Sequence, residues 1–282
     1  MGALFGPLGG LNELPCASEL AESPEGSAVV KTTAALSGTV RAQLSPVLPP
    51  RVWQVGVGSR TPGEAAILYR AAQAQHAAAR PWGFYSEAAQ VQNLLDPEAA
   101  LMSPHRWTRL TPVGSRVLPY ESAHPRYLSS GATPLDGSWS HLSNIPIPHH
   151  RTVTVSVTVT ARTGETGHLW IDELRMDGTT LRVHKLTTTA VADRLTATFT
   201  TSGETVALTL GVARADIVVD PQITLTDATP DDWMPGGGCL NALIVEPSQT
   251  VQLAIPGVPW GTRSGYGWQV IEVGSRRMGH TG

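Results

Sequence analysis

The stretch RTVTVSVTVT, residues 151–160, decides the fold of this chain. Valine alternates with a hydroxyl-bearing residue along it, so that in an extended chain the valines form one face, while the threonines and Ser156 form the other. β-branched side chains also favour strands over helices. The stretch therefore predicts a β-strand with one apolar, buried face and one polar, solvated face.

The same kind of short, alternating run recurs through residues 138–233, separated by Gly, Asp and Ser at fairly regular spacing. The further runs are HLWIDEL at 168–174, DGTTLRVHKL at 177–186, DRLTATFT at 193–200, ETVALTLGV at 204–212 and DIVVDPQITLTD at 216–227. Several short strands with this punctuation are typical of an antiparallel β-sandwich or jelly roll.

Length and composition favour two turn-rich β modules and exclude some function classes. The chain has 282 residues, of which 15% are charged, 28 are Gly and 22 are Pro. Its net charge is −3, and no window concentrates Lys or Arg, which argues against a nucleic-acid partner. The sequence shows neither a long apolar run nor signal-peptide features, so we expect no membrane partner and synthesis in a cytoplasm.

The first hundred residues predict a smaller module with one helix. Segment 1–28 is expected to be an extended arm with little core, and 36–44 and 51–57 to be two antiparallel strands. The helix is expected at 61–80, because Thr61-Pro62-Gly63-Glu64 fits a capping box and Arg80-Pro81 would end it.

The rest of the chain outside the sandwich is less regular. Residues 81–102 predict a strand, a bend and a second strand or short helical turn, and the proline-rich 103–135 is the expected junction between modules. The last forty residues contain the strand candidates NALIVE, TVQLAI and GWQVIEVG. These either complete the sandwich or return to the first module.

No motif of a common enzyme or cofactor site is present. Gly56-Val57-Gly58 lacks the third glycine of a dinucleotide fingerprint, and there is no P-loop, nucleophile elbow or zincin motif. His149-His150 reads as a solvated turn, and Cys16 and Cys239 as two buried thiols, unless the chain ends bring that pair together. We therefore predict a protein that is not an enzyme, with no catalytic, cofactor-binding or metal residues and no cofactor.

A glycosidase would need two carboxylates assembled from distant positions. The candidates are Asp136, Asp172, Glu173 and Asp231. Asp172 and Glu173 are neighbours in a predicted strand, so their side chains are expected to point to opposite faces. A glycan hydrolase is therefore the least favoured reading.

Sugar binding needs exposed aromatic rings with polar groups beside them. The tryptophans of the predicted sandwich are Trp139, Trp170 and Trp233, and the polar candidates are Asn144, Asp172 and Gln222. Each tryptophan either fills the core or forms a platform for a sugar ring, and core is the more frequent role. The sequence alone assigns no binding site.

A series of short segments resembles minor tail proteins of actinobacteria-infecting siphophages, which are similar to distal tail proteins. The segments are FGPLGGLNELPC at 5–16, LSGTVRAQ at 36–43, RVWQVGVGSRTPGEAA at 51–66, AQVQNLLDPEAALM at 89–102, PQITLTD at 221–227, DWMPGGGCLNALIVE at 232–246 and WQVIEVG at 268–274. Each segment is short, but their order and spacing span nearly the whole chain. Within them, Gly236-Gly237-Gly238 looks like a flexible turn between modules.

The resemblance implies a tail-tube-like split β-barrel with one flanking helix, formed by 1–108 and completed by 242–282, and a jelly roll similar to carbohydrate-binding modules at 109–241. It implies a structural subunit at the virion tail tip, assembled in the host cytoplasm. The implied partners are other copies in a ring, with a hexamer favoured, the tail-tube protein, the baseplate hub and other minor tail proteins. The alternative is an adhesion protein that binds host cell-surface glycan.

Ring formation needs sheet edges, extended arms and apolar patches, not a convergent polar cleft. The aromatic residues Trp53, Trp82, Phe84 and Tyr85 either anchor such an interface or fill the core of their own module.

Overall fold

The computed structural model describes residues 2–14, 19–24, 30–34, 40–44, 47–48, 50–60, 70–71, 73–75, 77–78, 81–100, 106–109, 115–118, 126–129, 139–161, 163–190, 193–234, 236–252, 263–273 and 276–277. The chain forms two compact units. Unit 1 comprises residues 1–5, 13–84 and 240–278, and unit 2 comprises residues 6–12, 85–239 and 279–282. Residues 85–108, expected in the first module, thus belong to unit 2.

Unit 1 is built on a mixed set of short and long strands. These are β1 (Leu4–Gly6), β2 (Asn12–Glu13), β3 (Glu19–Pro24), β4 (Val30–Ala34), β5 (Val40–Leu44), β6 (Val47–Leu48), β7 (Arg51–Arg60), β8 (Trp82–Tyr85), β19 (Cys239–Gln252), β20 (Arg263–Glu272) and β21 (Arg276–Arg277). Helix α1 contains the helical residues 70–71, 73–75 and 77–78, while 61–69 of the predicted helix lie outside the described residues.

Seven of these strands form one sheet in the order β2-β1-β8-β19-β20-β7-β3. The last long strands, β19 and β20, pair antiparallel with each other, and β20 also pairs with β7. The C-terminal strands therefore join the first sheet. The expected pairing of 36–44 with 51–57 is wrong, because β5 pairs with β4 and β7 pairs with β20 and β3.

The core of unit 1 holds most of the aromatic residues considered as interface anchors. Trp53 and Phe84 are fully buried with ring centroids 5.0 Å apart, and Phe5 packs on Trp82 at 5.2 Å. Because Leu4 and Phe5 are buried strand residues, the expectation of a core-poor N-terminal arm is wrong for this segment. In β1 and β8 the packing of aromatic rings contributes more to the core than an alternation of buried and exposed residues does.

Two polar contacts fix the strands of this sheet. Arg51 donates to both carboxylate oxygens of Glu272 from Nε and Nη2, each at 3.2 Å, so a buried ion pair lies between β7 and β20. In α1, buried Gln75 donates to Ala242 O and accepts from Ile244 N, both at 2.7 Å. Its side-chain amide thereby satisfies backbone groups of β19 as a neighbouring strand would.

Unit 2 contains the predicted sandwich. Its helices are α2 (Glu87–Gln92) and α3 (Pro97–Ala100). Its strands are β9 (Trp107–Arg109), β10 (Ser115–Leu118), β11 (Arg126–Ser129), β12 (Trp139–Pro146), β13 (Thr152–Ala161), β14 (Gly167–Leu174), β15 (Thr180–Thr188), β16 (Asp193–Thr200), β17 (Ala207–Ala213) and β18 (Ala215–Thr224). They form two five-stranded sheets, ordered β10-β11-β18-β13-β16 and β15-β14-β17-β12-β9.

The predicted mainly β architecture with a β-sandwich is confirmed. Val153, Val155, Val157 and Val159 of β13 are almost completely buried, as are alternate residues of β14. Apolar side chains of the two sheets thus fill a shared core, as the period of two requires.

The opposite face of β13 is less solvated than the sequence predicts. Thr154 and Ser156 are fully buried. The Thr154 hydroxyl donates to Thr226 O at 2.7 Å, and Ser156 Oγ lies 3.1 Å from Thr196 Oγ1. The chain that follows β18 thus satisfies the Thr154 hydroxyl, and the neighbouring strand β16 provides the partner of the Ser156 hydroxyl.

Gly236-Gly237-Gly238 is a close-packed crossing, not the flexible turn that the sequence suggests. Gly237 N donates to Asn93 O and Gly238 N donates to Leu95 O, each at 3.0 Å. A Cβ on either Gly236 or Gly238 would collide with backbone carbonyl oxygens of residues 94–96. Glycine is needed here because two backbones approach each other directly.

Asn93 is the polar centre of this region. It is fully buried, and its Nδ2 donates to Pro221 O and Met234 O, both at 3.0 Å. Its Oδ1 accepts from Leu95 N and Ile223 N, both at 3.2 Å. All donor and acceptor positions of the amide are therefore used.

No helix among the described residues is both long and apolar enough to span a membrane.

We expect Asn93→Asp to lower the free energy of unfolding by about 3 kcal/mol or more, because it removes two buried donors and places a carboxylate against two carbonyl oxygens. Urea denaturation monitored by tryptophan fluorescence measures this. Asn241→Asp, at an exposed position, is the matched control and should change stability by less than about 0.5 kcal/mol. Equal effects of the two substitutions would contradict the role assigned to Asn93.

Candidate functional site

The outward side of β14 carries the polar and aromatic residues of HLWIDEL. Gly167, Leu169, Ile171 and Glu173 are buried, and the residues between them are partly exposed. His168, Trp170 and Asp172 therefore share the outer face of the sheet, as the alternation predicts. The two neighbouring carboxylates Asp172 and Glu173 point to opposite faces, as expected.

Strand register places further residues beside this row. Trp170 lies opposite Lys185 of β15 on one side and opposite Gly211 of β17 on the other, and Asp172 lies opposite Thr209. We call this set the tryptophan face: His168, Trp170, Asp172, Lys185, Thr209 and Gly211. Gly211 is buried and adds no side chain to this face.

The Trp170 ring contacts the His168 ring and the ammonium group of Lys185. The His168 and Trp170 ring centroids are 4.8 Å apart at an interplanar angle of 38°. Lys185 Nζ lies 5.3 Å from the Trp170 centroid, within the range of a cation–π contact. Lys185 is exposed and its four-carbon stem is flexible, so this contact can exchange readily.

His168 is held in its neutral form at neutral pH. Partial burial lowers the pKa of its imidazole below the ordinary value of 6.5, and the positive charges of Lys185 and Arg214 lower it further. Its Nδ1 is buried and has no hydrogen-bond partner among the residues that the structure describes. The imidazole thus adds no charge to the tryptophan face.

Asp172 is the anionic residue of this face. Burial raises the pKa of its carboxyl, an effect that the nearby His184 partly opposes. Asp172 is half-buried, so its carboxylate is partly removed from water. A partly desolvated carboxylate is a strong acceptor for sugar hydroxyl groups.

Glu173, on the other side of β14, is enclosed by a hydrogen-bond network. It is fully buried, Thr205 Oγ1 donates to its Oε2 at 2.6 Å, and His184 Nε2 lies 2.9 Å from its Oε1. His184 in turn stacks on Phe199, with centroids 4.0 Å apart. The network joins β14 to β15 and to the loop before β17, which is a structural role.

The remaining carboxylates and polar candidates are dispersed. Asp231 is exposed in the loop after β18, and Asp136 lies outside the described residues. Gln222 is fully buried, accepts from Arg194 Nη2 and donates to Asp232 O at 3.1 Å, so it supports the fold. The side chains of Trp139 and Asn144 are outside the described part of the structure, and Trp233 is partly exposed in the same loop as Asp231.

The adjacent histidines occupy a turn in which His150 is exposed and His149 is partly buried. His150 is exposed with φ of 52°, and His149 Nε2 lies 3.3 Å from Gly9 O. Within the described residues there is no group of three His, Cys, Asp or Glu side chains that could hold a metal ion. Cys239 is buried, and Cys16 lies outside the described residues.

Sequence reasoning selected Trp170 and Asp172 but missed their neighbours. Lys185 and Gly211 are far from Trp170 in sequence, and only the strand register brings them beside it. The hairpin signal Asp177-Gly178 could have been used to pair β14 with β15 and so to place Lys185 opposite Trp170. His168 lies in the same run of sequence, but its residue type alone does not mark it as part of a sugar site.

Comparison with known proteins gives weak structural similarities. No family model matches the chain, and no curated protein matches it. The chain is similar to the enzymatically active domain of tailspike protein 4 of bacteriophage CBA120, with a TM-score of 0.37 and 10% identity over 48% of this chain and 22% of that one. It thus spans about a fifth of that tailspike chain.

Carbohydrate-binding modules are also similar to this chain. The CBM22-1 xylan-binding domain of Paenibacillus barcinonensis Xyn10C has a TM-score of 0.32 and 18% identity, covering 45% of this chain and 89% of that one. A CBM4 structure has a TM-score of 0.33 and 14% identity, covering 50% and 99%. With TM-scores below 0.5, these similarities decide nothing about the function of this chain.

We expect the lowered pKa of His168 to make unit 2 less stable as the pH falls through about 6.5. The unfolded chain binds a proton there more readily than the folded chain, so the free energy of unfolding decreases with falling pH and is constant above about 7.5. Urea midpoints measured from pH 8 to pH 5 test this. His168→Gln should reduce the slope, and Lys185→Gln should reduce it less, because burial is the larger cause. A slope unaffected by His168→Gln would show that other groups produce it.

Proposed function

We propose that this chain is a structural component of a bacteriophage tail tip, and that its β-sandwich binds a host cell-surface glycan through the tryptophan face. The observation that carries the glycan-binding part is Trp170. This ring lies on the outer face of a sheet, with Lys185 on one side, the side-chain-free Gly211 on the other, and Asp172 along the same strand.

This arrangement has the parts that sugar recognition needs. A pyranose ring presents C–H groups on its faces and hydroxyl groups around its edge. An indole ring at a surface can contact the C–H groups, while its position on a rigid strand limits the entropy lost on binding. Lys185 beside the ring offers a donor for the edge hydroxyl groups, and Asp172 and Thr209, two residues farther along the strands, offer an acceptor and a hydroxyl.

Binding without hydrolysis is part of the proposal. A hydrolytic pair needs two carboxylates that face one bond. Glu173 faces the core and is engaged by Thr205 and His184, whereas Asp172 faces outward. This orientation supports a protein that holds a glycan and does not cut it.

The tail-tip part rests on the segments that resemble siphophage minor tail proteins, such as 5–16 and 232–246. In this proposal, unit 1 forms a ring of copies between the tail-tube protein and the baseplate hub. The terminal strands of its seven-stranded sheet are β2 and β3 among the residues described. Terminal strands offer backbone donors and acceptors to a neighbouring copy, which is how sheets extend between subunits.

We expect Trp170→Ala to weaken glycan binding at least tenfold, which corresponds to about 1.4 kcal/mol, because the substitution removes the ring that the sugar contacts. Binding of the full chain to a panel of soluble bacterial cell-wall polysaccharides, followed by titration calorimetry on those retained, measures this. Trp170→Phe should keep part of the affinity.

Met176→Ala is the control, since Met176 is an exposed apolar residue of the β14–β15 turn, outside the tryptophan face. It should bind like the wild type. If Trp170→Ala bound every retained glycan as tightly as the wild type, the tryptophan face would not be the binding site. Release of reducing sugar by the wild-type chain would contradict the non-enzymatic part.

For the tail-tip role, we expect the purified chain to form rings, alone or on mixing with the phage tail-tube protein. Mass measurement in solution and negative-stain imaging test this, with six copies as the favoured number. A chain that stays monomeric at high concentration and does not bind the tube protein would remove the ring from the proposal. Such a result would leave glycan binding as an independent function.

A further inference from the structure

We propose that the glycan bound by the tryptophan face is acidic, carrying a carboxylate or a phosphate that Lys185 binds after leaving the Trp170 ring. This inference rests on the proposed glycan-binding function and specifies the class of sugar. The juxtaposition that supports it is the ammonium group of Lys185, 5.3 Å from the centroid of the ring that a sugar would contact.

Lys185 brings positive charge to the tryptophan face beside Trp170. Lys185 lies opposite Trp170, and Arg214, which directly follows β17, is close enough to influence His168 electrostatically. The single acidic residue of the face, Asp172, is two residues along β14, or roughly 6.6 Å at the usual rise per strand residue. An anionic group beside Trp170 would therefore meet the ammonium group of Lys185, with the Asp172 carboxylate farther along the strand.

His168 does not change this balance at neutral pH. The same two cations, together with partial burial, keep its imidazole neutral. It therefore presents neither a repelling nor an attracting charge to the ligand. Charge recognition at this face therefore falls to Lys185, not to the imidazole.

Because the ammonium group of Lys185 lies over the Trp170 ring, a sugar that binds there must displace it. This displacement gives the site a preference between neutral and acidic sugars. A neutral sugar that contacts the Trp170 face would have to displace the ammonium group and offer it only neutral acceptors. An acidic sugar displaces it too, but supplies an anionic partner for a charge-assisted hydrogen bond, which is stronger than an exposed cation–π contact. The exchange therefore favours the acidic sugar.

Pairs of ligands that differ only in their acidic groups test whether the negative charge of the sugar is recognised. One pair is a galacturonate hexasaccharide and its methyl ester, which share the same rings and hydroxyl groups. The second is a 6-phosphorylated mannan oligosaccharide and its dephosphorylated form. Binding of the full chain is measured by titration calorimetry at low and at physiological salt. We expect the charged member of at least one pair to bind at least tenfold more tightly, with the preference decreasing as salt is added.

Variants of Lys185 test whether this residue causes the preference for the acidic sugar. Lys185→Gln should bring the two members of a pair within about twofold, and Lys185→Arg should keep most of the preference. Arg175→Gln is the matched control, because it removes one positive charge from an exposed side chain in the β14–β15 turn, outside the tryptophan face. It should leave the preference intact. Melting temperatures close to that of the wild type would show that the exposed variants remain folded.

The outcomes separate this inference from the proposed function. Preference for the uronate pair or for the phosphate pair supports the inference and tells which acid is recognised. Equal or tighter binding of the neutral members, or binding confined to neutral glycans of the panel, overturns the acidic class while glycan binding stands. If the wild-type chain binds no glycan at all, the proposed function fails and the inference fails with it.

Discussion

The buried amide of Asn93 joins three segments of unit 2 that are far apart in the sequence: the end of α2, strand β18, and the chain just before the glycines at 236–238. On one edge of β18, β11 pairs only with residues 217–219. On that same edge the backbone of 221–225 therefore needs other hydrogen-bond partners. Asn93 provides two of them, and Leu94 and Gln90 provide more through Leu94 N to Ile223 O and Leu225 N to Gln90 O. A buried backbone without such partners would be unstable, which makes this contact a condition for β18 to extend.

The position of the tryptophan face follows from that sheet. β18 pairs with β13, whose valines fill the core together with Leu169 and Ile171 of β14. Since the side-chain period of a strand is two, burying Leu169 and Ile171 forces Trp170 and Asp172 outward, and a register slip of one residue would invert both sets. Buried Glu173 adds a second restraint, because its hydrogen bonds with Thr205 and His184 hold that end of β14 in place. The face is therefore held by the core beneath it.

The sequence predicted those features that depend on local periodicity, and missed those that depend on distant contacts. Alternation was enough to predict the strands of the sandwich, the inward valines and the opposite orientation of Asp172 and Glu173. It could not show that Thr154 and Ser156 are buried, or that Gly236 and Gly238 lie against the backbone of 94–96. For the site, Trp170 and Asp172 were available from one run of sequence, whereas Lys185 and Gly211 required the register of two further strands. Burial of Trp53 and Phe84 also follows from packing that no single segment encodes.

Of the two proposed roles, ring formation would strengthen glycan binding. A face with one tryptophan and a few exposed polar groups offers a sugar only a limited contact area, and each ligand hydroxyl group must give up water to bind. One copy would thus bind weakly and release quickly. Several copies held in a ring would meet a polymeric cell-surface glycan together, so that each contact raises the effective concentration for the next, and avidity exceeds the affinity of a single face. Weak, charge-selective contacts repeated around a ring would allow a virion to move along a surface between contacts, and yet remain attached to it.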